Sequence, residues 1–258
     1  MRFAARTAFA LVLTICLTTQ ASASEVVVAA ASDLTSVIKE VASSFEKKTG
    51  HNAKVTLGSS GSFYAQISNG APFDVFLSAD LNYVREIEKA NLAEPGTSYV
   101  YAIGHLVLWV PKNSTLPIEK LGMKALADSR VKRIAFANPK NAPYGRAAVE
   151  AMKKAGVYEA AQSKFVMGDN IAQTAQFAQS GAADVGLIGL SSALSESMKS
   201  SGRYWDVPVD SYPRLEQGGV ILKQAEKAGH REAARAFMDF LRSEAGKSIL
   251  RRFGFQMK

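Results

Sequence analysis

Five consecutive residues, Gly58-Ser59-Ser60-Gly61-Ser62, bring three hydroxyls and two glycines together just ahead of an apolar helical segment, with no Lys or Arg among them. Three other segments share the pattern of a strand-like run, a few small or polar residues, and a helical run. They are Ala31-Ser32-Asp33, Pro139 to Tyr144 (PKNAPY) and Gly168-Asp169-Asn170-Ile171. The first amides of a helix have no partner inside it, and the helix dipole is positive at that end. Several such ends facing one cleft, with serine hydroxyls added, would hold an anion. Each piece also has a plainer reading. Ser32 or Asp33 can serve as an ordinary N-cap, the Gly58–Ser62 cluster as a turn, and Tyr144 as a half-buried aromatic. Ile171 could offer only a backbone N–H.

Other chemistries find little support. His51, His105 and His230 are far apart and in no metal-ligand spacing. Gly58-Ser59-Ser60-Gly61 lacks the middle residue of a G-x-S-x-G nucleophile elbow, and Gly181 to Gly186 has no following Lys, so it is no P-loop. No nucleophile–base constellation emerges, and no enzyme and no cofactor are expected.

The N-terminus reads as an export signal. Arg2 and Arg6 precede an apolar run from Ala8 to Thr18, and Ala21-Ser22-Ala23 supplies a small-residue cleavage site. Residues 1–23 are therefore expected to be removed. Cys16, the only cysteine, leaves with them, and its context is not that of a lipid attachment site. The net charge of +8 falls to +6 without Arg2 and Arg6. No basic block remains, so nucleic-acid binding is not expected.

The elements that must position the small-residue segments alternate regularly. Glu25 to Ala31, Ala53 to Leu57 and Asp74 to Leu77 read as strands. Helical spacing links Leu34, Val37, Ile38, Val41 and Phe45, then Phe63 to Asn69, then Leu81 to Ala90. Tyr101 to Val110 reads as one long apolar strand. Alternation resumes with strands at Ile134–Ala137, Phe165–Met167, Asp184–Ile188 and Gly218–Leu222, and with helices at Tyr144–Ala155 and Ile171–Gln179. Two helices, about 228–241 and 243–252, end the chain. Strand–helix alternation predicts an α/β fold with helix-covered, largely parallel sheets. Two units are expected, residues 24–103 joined by the returning tail 213–258, and residues 104–212. Two crossings between them would make a hinge with a cleft.

The segments AAASDL (29–34), GSSGSFYAQISNGAPFDVFLSAD (58–80), YAIGHLVLWVP (101–111), ANPKNAPYG (137–145) and GAADVGLIGLSS (181–192) occur in this order. Together they resemble the periplasmic molybdate-binding proteins of molybdate ABC transporters, over nearly the whole mature chain. The resemblance implies the periplasmic binding protein fold and capture of molybdate or tungstate for delivery to a membrane permease. It implies a periplasmic location, and a monomer is expected. By motif, hydroxyls come from Ser32 and Ser60, and backbone donors from Tyr144, after Pro143, and from Ile171. The metal is held only as its oxyanion, with no direct protein ligand. Known members carry a ligand tyrosine just after the strand that here ends at Ile188, where this chain has Gly189. Tyr144 stands where those members have a small residue, as though the phenol came from the opposite helix start. Alternative readings are a binding protein for sulfate, phosphate or a ferric complex, and an exported hydrolase using Ser60.

Asp33 is the one acid near the expected anion. A fully deprotonated dianion is repelled by a carboxylate. Asp33 is therefore expected to point away from the cleft and to interact with the start of its own helix.

Overall fold

The computed structural model describes residues 24–258; the expected export signal at 1–23 lies outside the described residues. The ten strands named here form two five-stranded sheets. The first contains β1 (Glu25–Ala31), β2 (Asn52–Gly58), β3 (Val75–Ser78), β4 (Tyr99–Gly104) and β10 (Leu215–Ile221), in the order β2-β1-β3-β10-β4. The second contains β5 (Leu106–Pro111), β6 (Ile134–Ala137), β7 (Phe165–Gly168), β8 (Val185–Gly189) and β9 (Gly202–Asp206), in the order β7-β6-β8-β5-β9. Each sheet has a parallel trio, β2-β1-β3 or β7-β6-β8, next to two antiparallel strands. The two lobes thus repeat one plan.

The longer helices are α1 (Ile38–Thr49), α2 (Ser60–Ser68), α3 (Leu81–Lys89), α4 (Pro143–Lys154), α5 (Ile171–Gln179), α6 (Arg231–Arg242) and α7 (Glu244–Arg252). The buried residues Ala233, Ala234, Phe237, Met238, Phe240 and Leu241 place one face of α6 on the first lobe. There Phe45 of α1 meets Phe237 edge-on at 5.2 Å between ring centroids. Such a pair contributes about 0.5–1.5 kcal/mol beyond its area. The tail from β10 onward therefore belongs physically to the first sheet and the helices that cover it.

Two strands differ from the sequence expectation, and neither sheet is largely parallel, since each has two parallel and two antiparallel pairings. The apolar run 101–110 is not one strand: it breaks at His105, with β4 pairing β10 in the first sheet and β5 pairing β8 and β9 in the second. Both halves are buried, so hydropathy reads straight through the point where the chain crosses between lobes. The strand β9 was missed because it is a half-exposed edge, Gly-Arg-Tyr-Trp-Asp, without clean alternation.

Candidate functional site

Four strand ends deliver the small-residue segments to the line where the lobes meet. The chain leaves β1 into a single 3₁₀ turn, Ser32–Leu34, whose residues are all buried. It leaves β2 into α2, where Ser59 is the N-cap: its Oγ accepts from the Ser62 N–H at 3.4 Å and pairs with Ser62 Oγ at 2.8 Å. Ser60 is thereby released from capping. Its Oγ accepts instead from the buried Ala79 N–H at 2.9 Å, leaving the hydroxyl proton to donate elsewhere. In the second lobe α4 starts with Pro143, whose fixed φ suits a first helical position. Asn170 caps α5 by accepting from the Gln173 N–H at 3.0 Å.

Ser32, Ser60, Tyr144 and Ile171, the four residues expected from the sequence, all line one small cavity between the lobes, together with Gly58, Ser59 and Asp33. The amides of Ser60, Tyr144 and Ile171 sit in the first turns of α2, α4 and α5, where no intrahelical acceptor exists. Among the described residues no Lys or Arg lines the cavity. The arrangement offers neutral donors and three positive helix ends.

Asp33 departs from expectation. Its side chain is fully buried and, besides feeling the Asp33 and Leu34 amides of its own turn as expected, bonds across to Tyr144 and Gln217 instead of pointing away from the cleft. Its Oδ2 accepts from the Tyr144 hydroxyl at 3.2 Å and from Gln217 Nε2 of β10. Gln217 is held in turn by the Tyr101 hydroxyl, which donates to its Oε1 at 2.8 Å. Burial pushes the Asp33 carboxyl up to about 7, against the opposing pull of the hydrogen bonds from Gln217 and Tyr144 and of the Asp33 and Leu34 amides. Its other oxygen, Oδ1, has no hydrogen-bond partner among the described residues. The physical reason for the difference is that α1 proper begins only at Ile38, so residue 33 has no long helix start to cap.

The Tyr144 ring occupies the space beside Gly189. A Cβ built on Gly189 would lie 3.4 Å from the ring, and one on Gly104 would meet the hydroxyl at 2.2 Å. Only glycine at 104 leaves room for the phenol. Because that hydroxyl is bonded to Asp33, Tyr144→Phe is expected to lower anion affinity only about two- to tenfold, the equivalent of one neutral hydrogen bond. Calorimetric titration checks this, and a hundredfold loss would put the phenol directly on the anion.

Further contacts join the lobes around the cavity. Gly61 N–H donates to Asn141 O at 2.9 Å. Arg146 of α4 pairs with Asp80 at 2.6 Å and donates to the Tyr83 hydroxyl at 3.2 Å. Ser191 Oγ donates to Asp33 O at 2.6 Å. Sequence reading missed Asn141, Arg146, Ser191 and Gln217; in each case the signal is a partner 60 or more residues away, which no local pattern carries.

The chain matches the bacterial extracellular solute-binding protein family over residues 26–256. It is 41% identical over 253 residues to the molybdate-binding protein ModA of Rhodobacter capsulatus, covering 98% of this chain and 95% of that one. It is 39% identical over 238 residues to the protein of the same name from Azotobacter vinelandii, covering 92% of each. The solved structure of the Azotobacter vinelandii periplasmic molybdate-binding protein superposes with a TM-score of 0.82 at 33% identity, covering 90% of this chain and 99% of that chain. The sulfate-binding protein SubI of Mycobacterium tuberculosis, at 12% identity and a TM-score of 0.72 over 91% of this chain and 87% of its own, shares the fold alone.

Proposed function

The chain belongs to the bacterial extracellular solute-binding protein family, and from that premise we propose that it captures molybdate, and tungstate with it, for import by an ABC transporter. It is a binding protein and not an enzyme, as its relatives are. The anion is cargo rather than a cofactor. The partner is the transporter's membrane permease, and the working form is a monomer with no role in nucleic-acid binding. The location is the periplasm, reached by cleavage after Ala23. Mass spectrometry of exported protein is expected to find Ser24 at the N-terminus, and an intact Met1 would contradict that.

The observation that carries the reading is the convergence of serine hydroxyls and three helix N-termini on one cavity without a cation. Ser32 and Ser60 supply hydroxyls, and Tyr144 and Ile171 supply backbone N–H groups. All meet the anion's oxygens; none ligates molybdenum. A tetrahedral dianion without protons needs donors only. Charge-assisted hydrogen bonds contribute roughly 1.5–3 kcal/mol each, so half a dozen, less desolvation and closure, reach micromolar binding or tighter, about −8 kcal/mol. Residues 24–103 with 213–258, and residues 104–212, act as two bodies that close on the anion about two crossings, at Gly104–His105 and between β9 and β10.

A thermal-shift panel of oxyanions tests the reading, because a tight ligand raises the unfolding temperature by mass action. Molybdate and tungstate are expected to stabilise strongly, sulfate weakly because it is smaller, and phosphate not at all. Stabilisation by a ferric complex alone, or by none of the oxyanions, would contradict it.

A further inference from the structure

Asp33 poses a problem that the donor count leaves open: a carboxyl lines a cavity proposed for a dianion. Its two oxygens are not equivalent. Tyr144 Oη and Gln217 Nε2 both donate to Oδ2, while Oδ1 is buried without a hydrogen-bond partner among the described residues. A carboxylate can take a proton on either oxygen, but here the lone pairs of Oδ2 are engaged by two donors. The proton therefore belongs on Oδ1, which it converts from an orphaned acceptor into a donor. We propose that Asp33 meets the captured anion as an uncharged carboxylic acid, donating its Oδ1 proton to an anion oxygen, so that each anion bound brings one proton from solvent into the site. This rests on the molybdate reading above.

Burial favours the neutral form and outweighs the pull of the Gln217, Tyr144, Asp33 and Leu34 donors towards the carboxylate. Gln217 is neutral. The titratable groups facing Asp33 are the phenols of Tyr144 on α4 and Tyr101 on β4, both held well above the usual phenol range by burial and so uncharged. The α5 helix and the short turn Leu190–Ala193, which pack on the Ser32–Leu34 turn, carry no ionisable side chain. On β2 the only charge is Lys54, four residues back from the cleft end and 4.0 Å from Glu25. On α4, Arg146, Lys153 and Lys154 are paired with Asp80, Glu150 and Asp210. On β10, Glu216 lies 4.0 Å from Lys258. No cation is thus in place to hold Asp33 ionised, and an incoming dianion raises its proton affinity further.

The sign follows. With the carboxyl titrating near 7 before binding and higher once the anion is in, affinity is level below that pH and falls above it by about tenfold per pH unit.

The test is calorimetric titration of the whole mature protein with molybdate between pH 6.5 and 8.5, each in two buffers of different ionisation enthalpy. Wild type is expected to take up nearly one proton per molybdate at pH 8.5 and clearly less at pH 6.5, with a weaker Kd at the higher pH. Asp33→Asn keeps a donor in place and is expected to bind with no pH slope and no proton uptake, outdoing wild type at pH 8.5 by about thirtyfold. Wild-type molybdate binding that is level with pH and free of proton uptake overturns the proton proposal and leaves the molybdate reading standing. The buffer comparison needs no variant, so a failure of Asp33→Asn to fold does not block it. Absence of molybdate binding at every pH overturns the molybdate reading itself. Phosphate binding that tightens with pH and is lost in Asp33→Asn would show Asp33 accepting a proton from the ligand, and overturns the proposal too.

Discussion

Gly61→Ala is expected to weaken molybdate binding by on the order of a hundredfold while leaving the unliganded protein as stable as wild type or slightly more so. Gly61 lies in the first turn of α2 with ordinary helical backbone, where alanine is favoured over glycine by about 1 kcal/mol. In the closed arrangement, however, a Cβ at this position would stand 2.8 Å from Asn141 O, 3.0 Å from Asn141 Cα and 2.7 Å from the Tyr83 hydroxyl. The tyrosine tip can swing aside. The Asn141 backbone, bonded to Gly61 and fixed at the start of the turn into α4, has to move with its lobe. Backing the lobes apart strains the Gly61–Asn141 hydrogen bond and separates the anion's donors on the first lobe from those on the second. Loss of that bond and weakening of one charge-assisted bond account for a hundredfold, about 2.8 kcal/mol. Titration and melting of the same variant give both signs. Wild-type affinity in Gly61→Ala would mean that the Gly61–Asn141 contact plays no part in capture.

Ser60→Ala is expected to lower both affinity and stability. The sequence alone suggests that a ligand serine could be removed with little effect on the fold, and that only a cap would cost stability. The structure gives Ser60 a second duty: its Oγ is the acceptor for the buried Ala79 N–H, and the residue has no exposed surface. Removing it orphans that amide, which costs about 1–3 kcal/mol. In a chain of this size that corresponds to a melting temperature lower by roughly 2–10 °C. Losing the hydroxyl donor to a charged ligand costs a further ten- to hundredfold in affinity. The N-cap role lies with Ser59, so Ser59→Ala serves as the contrast, with about 1 kcal/mol of stability lost through the cap. A Ser60→Ala protein that melts early but binds molybdate like wild type would remove Ser60 from the site.

Much of this architecture was legible along the chain because it is local. Strand–helix alternation places Ser32, Ser60, Tyr144 and Ile171 just beyond strand ends, and in an open α/β sheet those ends share one edge. What could not be read was tertiary. Nothing in YAIGHLVLWV marks His105 as the change of sheet, since residues on both sides are buried. The orientation of Asp33 depends on Gln217, 184 residues away, and on Tyr144, 111 residues away. The need for glycine at 61 and 104 arises from Asn141 and from the Tyr144 hydroxyl, contacts that exist only once the two lobes are together. Propensity explains where each helix begins; it does not say which group of another lobe approaches that beginning.

The most direct test of the central claim, that a cleft of neutral donors takes an unprotonated tetrahedral dianion, is one calorimetric series at pH 7 with molybdate, tungstate, sulfate and phosphate on the mature protein. One site per chain with micromolar or tighter affinity for molybdate and tungstate, weak binding of sulfate and no heat with phosphate is the predicted result. Tight binding of phosphate with none of molybdate would contradict the account.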